Sequence, residues 1–256
     1  MKDVFALGAF SDNYIWVIPD AGNTRALVVD PGDAKPVSEG LRARGLELAG
    51  ILVTHHHGDH CGGVRSLLRE RDVPVYGPAH ERIPGRTHAL EDGDTVEPEG
   101  FDLRLAVIDC PGHTAGHIAY FGDGMLFCGD TLFAGGCGRL FEGTPAQMYA
   151  TLQRFAALPG ETRVYCGHEY TQANLTFAIE TEPDNDDLRK RLERVRAQRR
   201  DGLITLPSTI TEERATNPFL RSDSASVRAH AQQHAGRTLS DPVDVFAAVR
   251  AWKDSF

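Results

Sequence analysis

The 256-residue chain is 41% hydrophobic, enough to bury a substantial core. No stretch approaches the ~18 consecutive apolar residues of a membrane span, and Met1-Lys2-Asp3-Val4-Phe5 lacks the basic-then-apolar pattern of a secretion signal. The expectation from these two absences is a cytoplasmic protein, and a formal net charge of -9 argues against nonspecific nucleic-acid binding.

In chain order, Phe5 to Ala9, Tyr14 to Ile18 and Ala26 to Val29 read as consecutive antiparallel strands divided by Asp-Asn and Gly-Asn turns. Lys35 to Arg44 fits a short helix. The apolar run Gly50-Ile51-Leu52-Val53 reads as a buried strand, and a second helix over Gly63 to Arg71 follows the polar segment between them. Leu103 to Ile108, the run ending at Cys128, and the run ending at Cys166 read as further strands. Thr144-Pro145-Ala146-Gln147 combines an N-cap, a proline at the first helical position and a capping-box Gln, predicting a helix to Leu158 that Pro159-Gly160 stops. From Tyr170 onward strand signals vanish. Leu188, Leu192 and Val195 share one face of a basic helix, Leu188 to Arg200, closed by Gly202. Ser240-Asp241-Pro242 caps a last helix whose apolar side carries Val245, Phe246, Val249 and Trp252. The expected division is a catalytic domain over residues 1–169 and a helical domain over 170–256.

The chemistry begins at Thr54-His55-His56-His57-Gly58-Asp59-His60, which sets five possible metal ligands in six positions directly after a strand. An expression tag would sit at a terminus and lack the interleaved Asp. One segment cannot enclose a metal, and three later strand exits each offer a ligand beside glycine. These are Gly112-His113, Gly129-Asp130 and Gly167-His168. A mixed imidazole and carboxylate set suits zinc, iron or manganese. His56, flanked by two ligands, should point away, and His117 should support the ligands without joining them. Five cysteines (Cys61, Cys110, Cys128, Cys137, Cys166) are odd in number and scattered, which speaks against disulfides and for buried small hydrophobes.

His55-x-His57-x-Asp59-His60 with His113, Asp130 and His168 resembles the ligand set of the metallo-β-lactamase superfamily. The resemblance implies an α/β fold, an αββα sandwich followed by a small C-terminal α-helical domain. It implies that His55, His57 and His113 hold one metal, that Asp59, His60 and His168 hold the second, and that Asp130 bridges them. Two metals about 3.5 Å apart can activate a shared water for attack on a carbonyl or phosphoryl centre.

The helical tail narrows the resemblance to the glyoxalase II (hydroxyacylglutathione hydrolase) branch. It is carried by Phe10-Ser11-Asp12-Asn13-Tyr14, Pro111 to Thr114, Gly136-Cys137-Gly138-Arg139, Gly167-His168-Glu169-Tyr170-Thr171, Asn217-Pro218-Phe219 and Arg250-x-x-Lys253. Such an enzyme cleaves S-(2-hydroxyacyl)glutathione, for example S-D-lactoylglutathione, to glutathione and D-lactate with a hydroxide held by two metals. This is the second step of methylglyoxal detoxification. The resemblance assigns glutathione to Arg139, Phe141, Tyr170, Arg250 and Lys253, catalytic roles to Asp59 and Asp130, and zinc as the metal, in a monomer. Cations suit the two glutathione carboxylates, although Arg250 and Lys253 alone would read as ordinary charges at a helix C-terminus. The family often has Lys at Arg139 and Tyr at Phe141, and losing that hydroxyl removes ~1 kcal/mol of hydrogen bonding. The rivals are a single-iron persulfide dioxygenase, a nuclease of the same fold, and a non-catalytic glutathione-binding or metal-storage module.

Overall fold

A computed structural model describes residues 3–22 and 24–256. Met1 and Lys2 of the N-terminal segment, and Asn23 of the Gly-Asn turn, lie outside the described residues. In chain order the elements are β1 (Phe5–Ala9), β2 (Asn13–Pro19), β3 (Arg25–Val29), α1 (Ala34–Ala43), β4 (Glu47–Leu52), α2 (Gly58–Cys61), α3 (Val64–Glu70), β5 (Val75–Pro78), β6 (His88–Leu90), β7 (Thr95–Val96), β8 (Leu105–Asp109), β9 (Ile118–Gly122) and β10 (Met125–Gly129). There follow β11 (Leu132–Phe133), β12 (Gly136–Cys137), α4 (Pro145–Ala156), β13 (Arg163–Cys166), α5 (Thr171–Thr181), α6 (Asp186–Arg200), β14 (Ser208–Thr209), α7 (Ile210–Thr216), a 3-10 turn over Pro218–Leu220, α8 (Ala225–Ala235) and α9 (Pro242–Ser255). By contacts the chain forms two compact units.

The first unit comprises the chain to Cys110, Ala115–Gly129 and Tyr165–His168. One sheet runs β1-β2-β3-β4-β5-β6, antiparallel through β3 and parallel from β3 to β6. Every residue of β2 is buried, which is why from Tyr14 to Pro19 it reads as a continuous apolar run rather than an alternating one. Val17, Val28, Ile51 and Val75 pack with Val37 and Leu41 of α1 and Val64 and Leu67 of α3. Fully burying each such side chain contributes about 1.5–3 kcal/mol before entropy is subtracted. On the other face Trp16 donates to the Cys166 carbonyl at 2.9 Å and meets Tyr165 edge-on, with ring centroids 4.8 Å apart. The Tyr120 hydroxyl of β9 donates to the Val53 carbonyl at 2.8 Å. These contacts lay the β7–β10 meander and the end of β13 against the first sheet, so the strand exits carrying His55 and His168 share one unit.

The second unit comprises Pro111–Thr114, Asp130–Val164 and Glu169–Phe256. Its helix α4 has the predicted capping box, Thr144 with Gln147, and a proline in its first turn. Helices α5 and α6 close on Leu175, Ala178, Leu188, Leu192 and Val195. Asp241 caps α9, which buries Val245, Phe246 and Val249, while Trp252 stacks on His234 at 4.2 Å. One expectation fails: strands do not end at residue 170. Ser208 and Thr209 form β14, paired with Val164 and Arg163 of β13. A two-residue strand is too short to show a period of two in sequence. The composition change at residue 170 falls beside the last crossing between the units, at His168–Glu169, but the excursions 111–114 and 130–164 group by contact with the helical unit.

Candidate metal centre

In the first unit the site grows from the ends of β3 and β4. Asp30 closes β3 with a left-handed backbone (φ 53°), a conformation Asp tolerates better than most residues. Its carboxylate accepts from the Thr54 backbone N–H at 2.7 Å and the Thr54 hydroxyl at 2.8 Å, fixing the turn from which His55 emerges. Gly32 lets this loop press against α2, since a Cβ there would stand 1.8 Å from the Asp59 carbonyl oxygen.

The histidine rings share one mode of support. His60 Nδ1 lies 3.0 Å from Asp30 Oδ2, His168 Nδ1 lies 2.7 Å from Asp12 Oδ1, and His55 Nδ1 lies 3.0 Å from the Thr54 hydroxyl. Their Nε2 edges are turned to neighbouring ligand atoms. His60 Nε2 and His168 Nε2 each lie 3.4 Å from Asp59 Oδ2, and His55 Nε2 lies 3.2 Å from His57 Nδ1. One ligand atom from each of Asp59, His60 and His168 falls within 4.8 Å of the others. An acceptor behind one ring nitrogen is how proteins aim the other at a metal and raise its basicity. Asp30 also falls in a ligand-like group with His55 and His60, but its oxygens already serve Thr54 and the Nδ1 edge of His60. We read it as a support. The described donors near the cluster are imidazole and carboxylate, a set that fits divalent ions. Hydrogen bonds from His168 and His60 hold the Asp59 carboxyl well below the usual carboxylate range, so it is ionised at neutral pH.

His56 turns away as expected, its Nδ1 3.0 Å from Glu81 Oε2. His117 stacks on His55 with centroids 4.5 Å apart, and its Nδ1 lies 3.1 Å from Cys110 Sγ. Three supports have no role assigned by sequence alone. Asp12 and Asn13 fall in a segment matching the family, and Asn13 donates to Asp59 Oδ2 at 2.9 Å. For Asp30 the available signal is a carboxylate ending a strand before Pro31-Gly32.

The second unit carries the other predicted residues. His113 Nδ1 lies 2.8 Å from the Arg139 carbonyl oxygen, and its Nε2 lies 3.5 Å from Asp130 Oδ2. Gly138 makes this possible, because a Cβ there would meet the Asp130 carbonyl oxygen at 1.9 Å. Phe141 is 63% exposed with its edge to His113, and Tyr170 leans on Phe133. Arg139 is exposed, 3.6 Å from Asp254. Half-buried Lys253 lies over the Phe177 ring at 5.2 Å. Burial first, then the nearby Arg250 and Arg139 charges, lower its pKa from 10.5. Arg250 departs from the expectation that it grips a ligand beside Lys253 on a shared helix face. It is only 6% exposed, and its guanidinium donates to the Cys137 carbonyl at 2.9 Å and to Asp254 at 3.0 Å.

The two-sheet unit with its strand-exit His/Asp cluster is that of a metallo-hydrolase domain. Residues 8–168 match the sequence model of the metallo-beta-lactamase superfamily, and residues 169–256 match that described as hydroxyacylglutathione hydrolase C-terminus. The chain belongs to the hydroxyacylglutathione hydrolase family of that superfamily. It is 58% identical to a hydroxyacylglutathione hydrolase of Alkalilimnicola ehrlichii, over 99% of both chains, and 54% identical to one of Nitrosomonas eutropha, over the full length of both. Among solved structures it resembles ETHE1 from Myxococcus xanthus (TM-score 0.66, 26% identity, 98% of both chains). It also resembles TTHA1623, described in a di-iron-bound form (TM-score 0.59, 27% identity, 84% of this chain and 98% of that one). These matches show the expected fold class: the superfamily's mixed α/β fold followed by a C-terminal helical domain.

Proposed function

We propose that the protein hydrolyses S-(2-hydroxyacyl)glutathione thioesters, S-D-lactoylglutathione among them, to glutathione and a 2-hydroxy acid. The observation that carries this is the family match of residues 169–256, joined in one chain to the Asp59–His60–His168 cluster. In this reading residues 1–169 are catalytic and 170–256 bind substrate.

His55, His57 and His113 would hold one divalent ion, Asp59, His60 and His168 a second, and Asp130 both. Chain connectivity supports the assignment. Gly167 donates to the Gly129 carbonyl at 2.9 Å, so Asp130 and His168 leave neighbouring strand ends. The loop bearing His113 returns to its start, where Cys110 N–H donates to the His117 carbonyl at 2.8 Å. When bound, such ions supply an acidified water and positive charge for the thioester oxygen. Asp59, ionised and held by Asn13, offers a carboxylate oxygen to orient that water. Arg139 and Lys253 match the two carboxylates of glutathione, with Arg250 adding charge from beneath and Phe141 and Tyr170 offering apolar faces. Zinc is the proposed metal, with iron and manganese the alternatives for the same donors. A monomer in the cytoplasm completes the reading. Among the described residues no helix is long and apolar enough to cross a membrane.

The test is loss of thioester absorbance with S-D-lactoylglutathione, alongside metal analysis and size-exclusion chromatography of the same sample. Failure of the metal-loaded protein to turn over any 2-hydroxyacylglutathione would sink the reading. Oxygen consumption with glutathione persulfide would favour the dioxygenase.

A further inference from the structure

The hairpin β11–β12 joins Asp130 to Arg139 by a short ladder that pairs Leu132 with Cys137 and Phe133 with Gly136, with Gly138 N–H donating to the Thr131 carbonyl at 3.2 Å. So short a pairing is not stable by itself. Side chains supply what the ladder lacks. Asn217 donates to the Phe133 carbonyl at 3.2 Å and the Gly136 carbonyl at 2.9 Å. Asn174 donates to the Ala134 carbonyl at 3.2 Å, and Arg250 to that of Cys137 at 2.9 Å. Glu213 accepts from the Gly135 N–H at 2.8 Å and from Asn217 at 2.9 Å. The two glycines admit this approach, since a Cβ on Gly136 would meet Asn174 at 2.6 Å and one on Gly135 would meet Leu175 at 2.6 Å.

Glu213 is fully buried, and its second oxygen accepts from Arg191 at 2.5 Å and from Ser208. A buried ion pair is weak support for stability against an apolar substitute, so its use here points to placement. We infer that Glu213, Asn217, Asn174 and Arg250 are positioning residues that lock the β11–β12 hairpin. They thereby set Asp130 at its start and Arg139 at its end for the reaction. The inference rests on the proposed thioesterase reading, in which Asp130 and Arg139 serve metal and substrate. It gives the Asn217-Pro218-Phe219 segment and buried Arg250 a shared task.

The hairpin itself can be tested without any variant. Hydrogen exchange of the wild-type protein should show the Gly135 amide protected far beyond an open loop, and exchange at loop rates overturns the inference. Asn217→Ala removes the Nδ2 contacts shared among the Phe133 and Gly136 carbonyls and Glu213, with the Oδ1 that accepts from the Phe219 N–H, and adds no charge. It should accelerate exchange across Leu132–Cys137, leave α5 and α6 protected, lower metal content, and reduce kcat/KM by about 10–100-fold. Glu213→Gln should act in the same direction. A lowered Tm with kcat, KM, metal content and hairpin exchange all unchanged would mark a purely structural role and overturn the inference. If wild-type protein shows no thioesterase activity the functional reading fails, while exchange and metal content still judge the cradle.

Discussion

The carboxylate of Asp30 stands 3.0 Å behind the Nδ1 edge of His60, with both side chains almost wholly buried. That places a charge behind a ring whose far edge faces Asp59. Asp30→Ala should therefore lower affinity for divalent ions by about 10–100-fold while the chain stays folded. Equilibrium dialysis with zinc measures it. Wild-type affinity in the variant would show that Asp30 serves only the Thr54 turn.

Asp130→Ala and Lys253→Ala should separate by kinetic parameter. If Asp130 is the shared ligand proposed above, removing it should abolish metal pairing and cost more turnover than the about 10–100-fold typical of losing a supporting partner. Removing a cation for substrate should mainly raise KM, by about tenfold. Equal losses of kcat in both variants would contradict this division.

Lys253 also sets a pH dependence. Burial and the neighbouring arginine charges lower its pKa from 10.5, so the ammonium is lost at a lower pH than that of a free lysine. KM should rise on the alkaline side below pH 10.5, with kcat little changed. Lys253→Arg, charged throughout that range, should remove the rise. A KM–pH profile unaltered by that substitution would exclude Lys253 as the group.

Glu182 anchors the helical unit at acid pH. Arg221 donates to both its oxygens at 2.7 Å, with Ser224 and Asn185 at 3.0 Å. Burial raises its pKa, but these bonds, led by Arg221, outweigh burial and leave it below 4.5. A depressed folded value means the stabilisation is present above the unfolded value and is lost as pH falls through the folded one. Glu182→Gln should cost about 1–2 kcal/mol at pH 7, discounted for the partly exposed Arg221. Denaturant titrations at pH 7 and pH 3 should show the gap narrowing in acid, and a constant gap would refute the assignment.

All five cysteines are free and buried, and burial foremost pushes the Cys61 and Cys137 thiols up to about 11. Native protein at neutral pH should resist iodoacetamide, with all five sites alkylated after denaturation. Rapid native labelling of Cys61 or Cys137, read by mass spectrometry, would contradict their packing role.

Much of this protein was legible in one dimension because its chemistry is local. Helix caps such as Thr144 and Asp241 act within three residues. The candidate ligand loop from His55 to His60 is itself a contiguous string, and Ile51, Leu52 and Val53 before it are as buried as their apolar run implied. Sequence by itself therefore determined the capped helices, the apolar strands that lead to His- and Asp-bearing exits, and the branch of the superfamily. Only the tertiary structure decided what stands behind each ligand. Asp12 reaches His168 across 156 positions and Asp30 reaches His60 across 30, and no periodicity encodes such pairings. The same holds for Arg250, which its helix position alone marks as a surface cation. Its burial against Phe219 lets it donate to the Cys137 carbonyl, which lies 113 positions earlier in the chain.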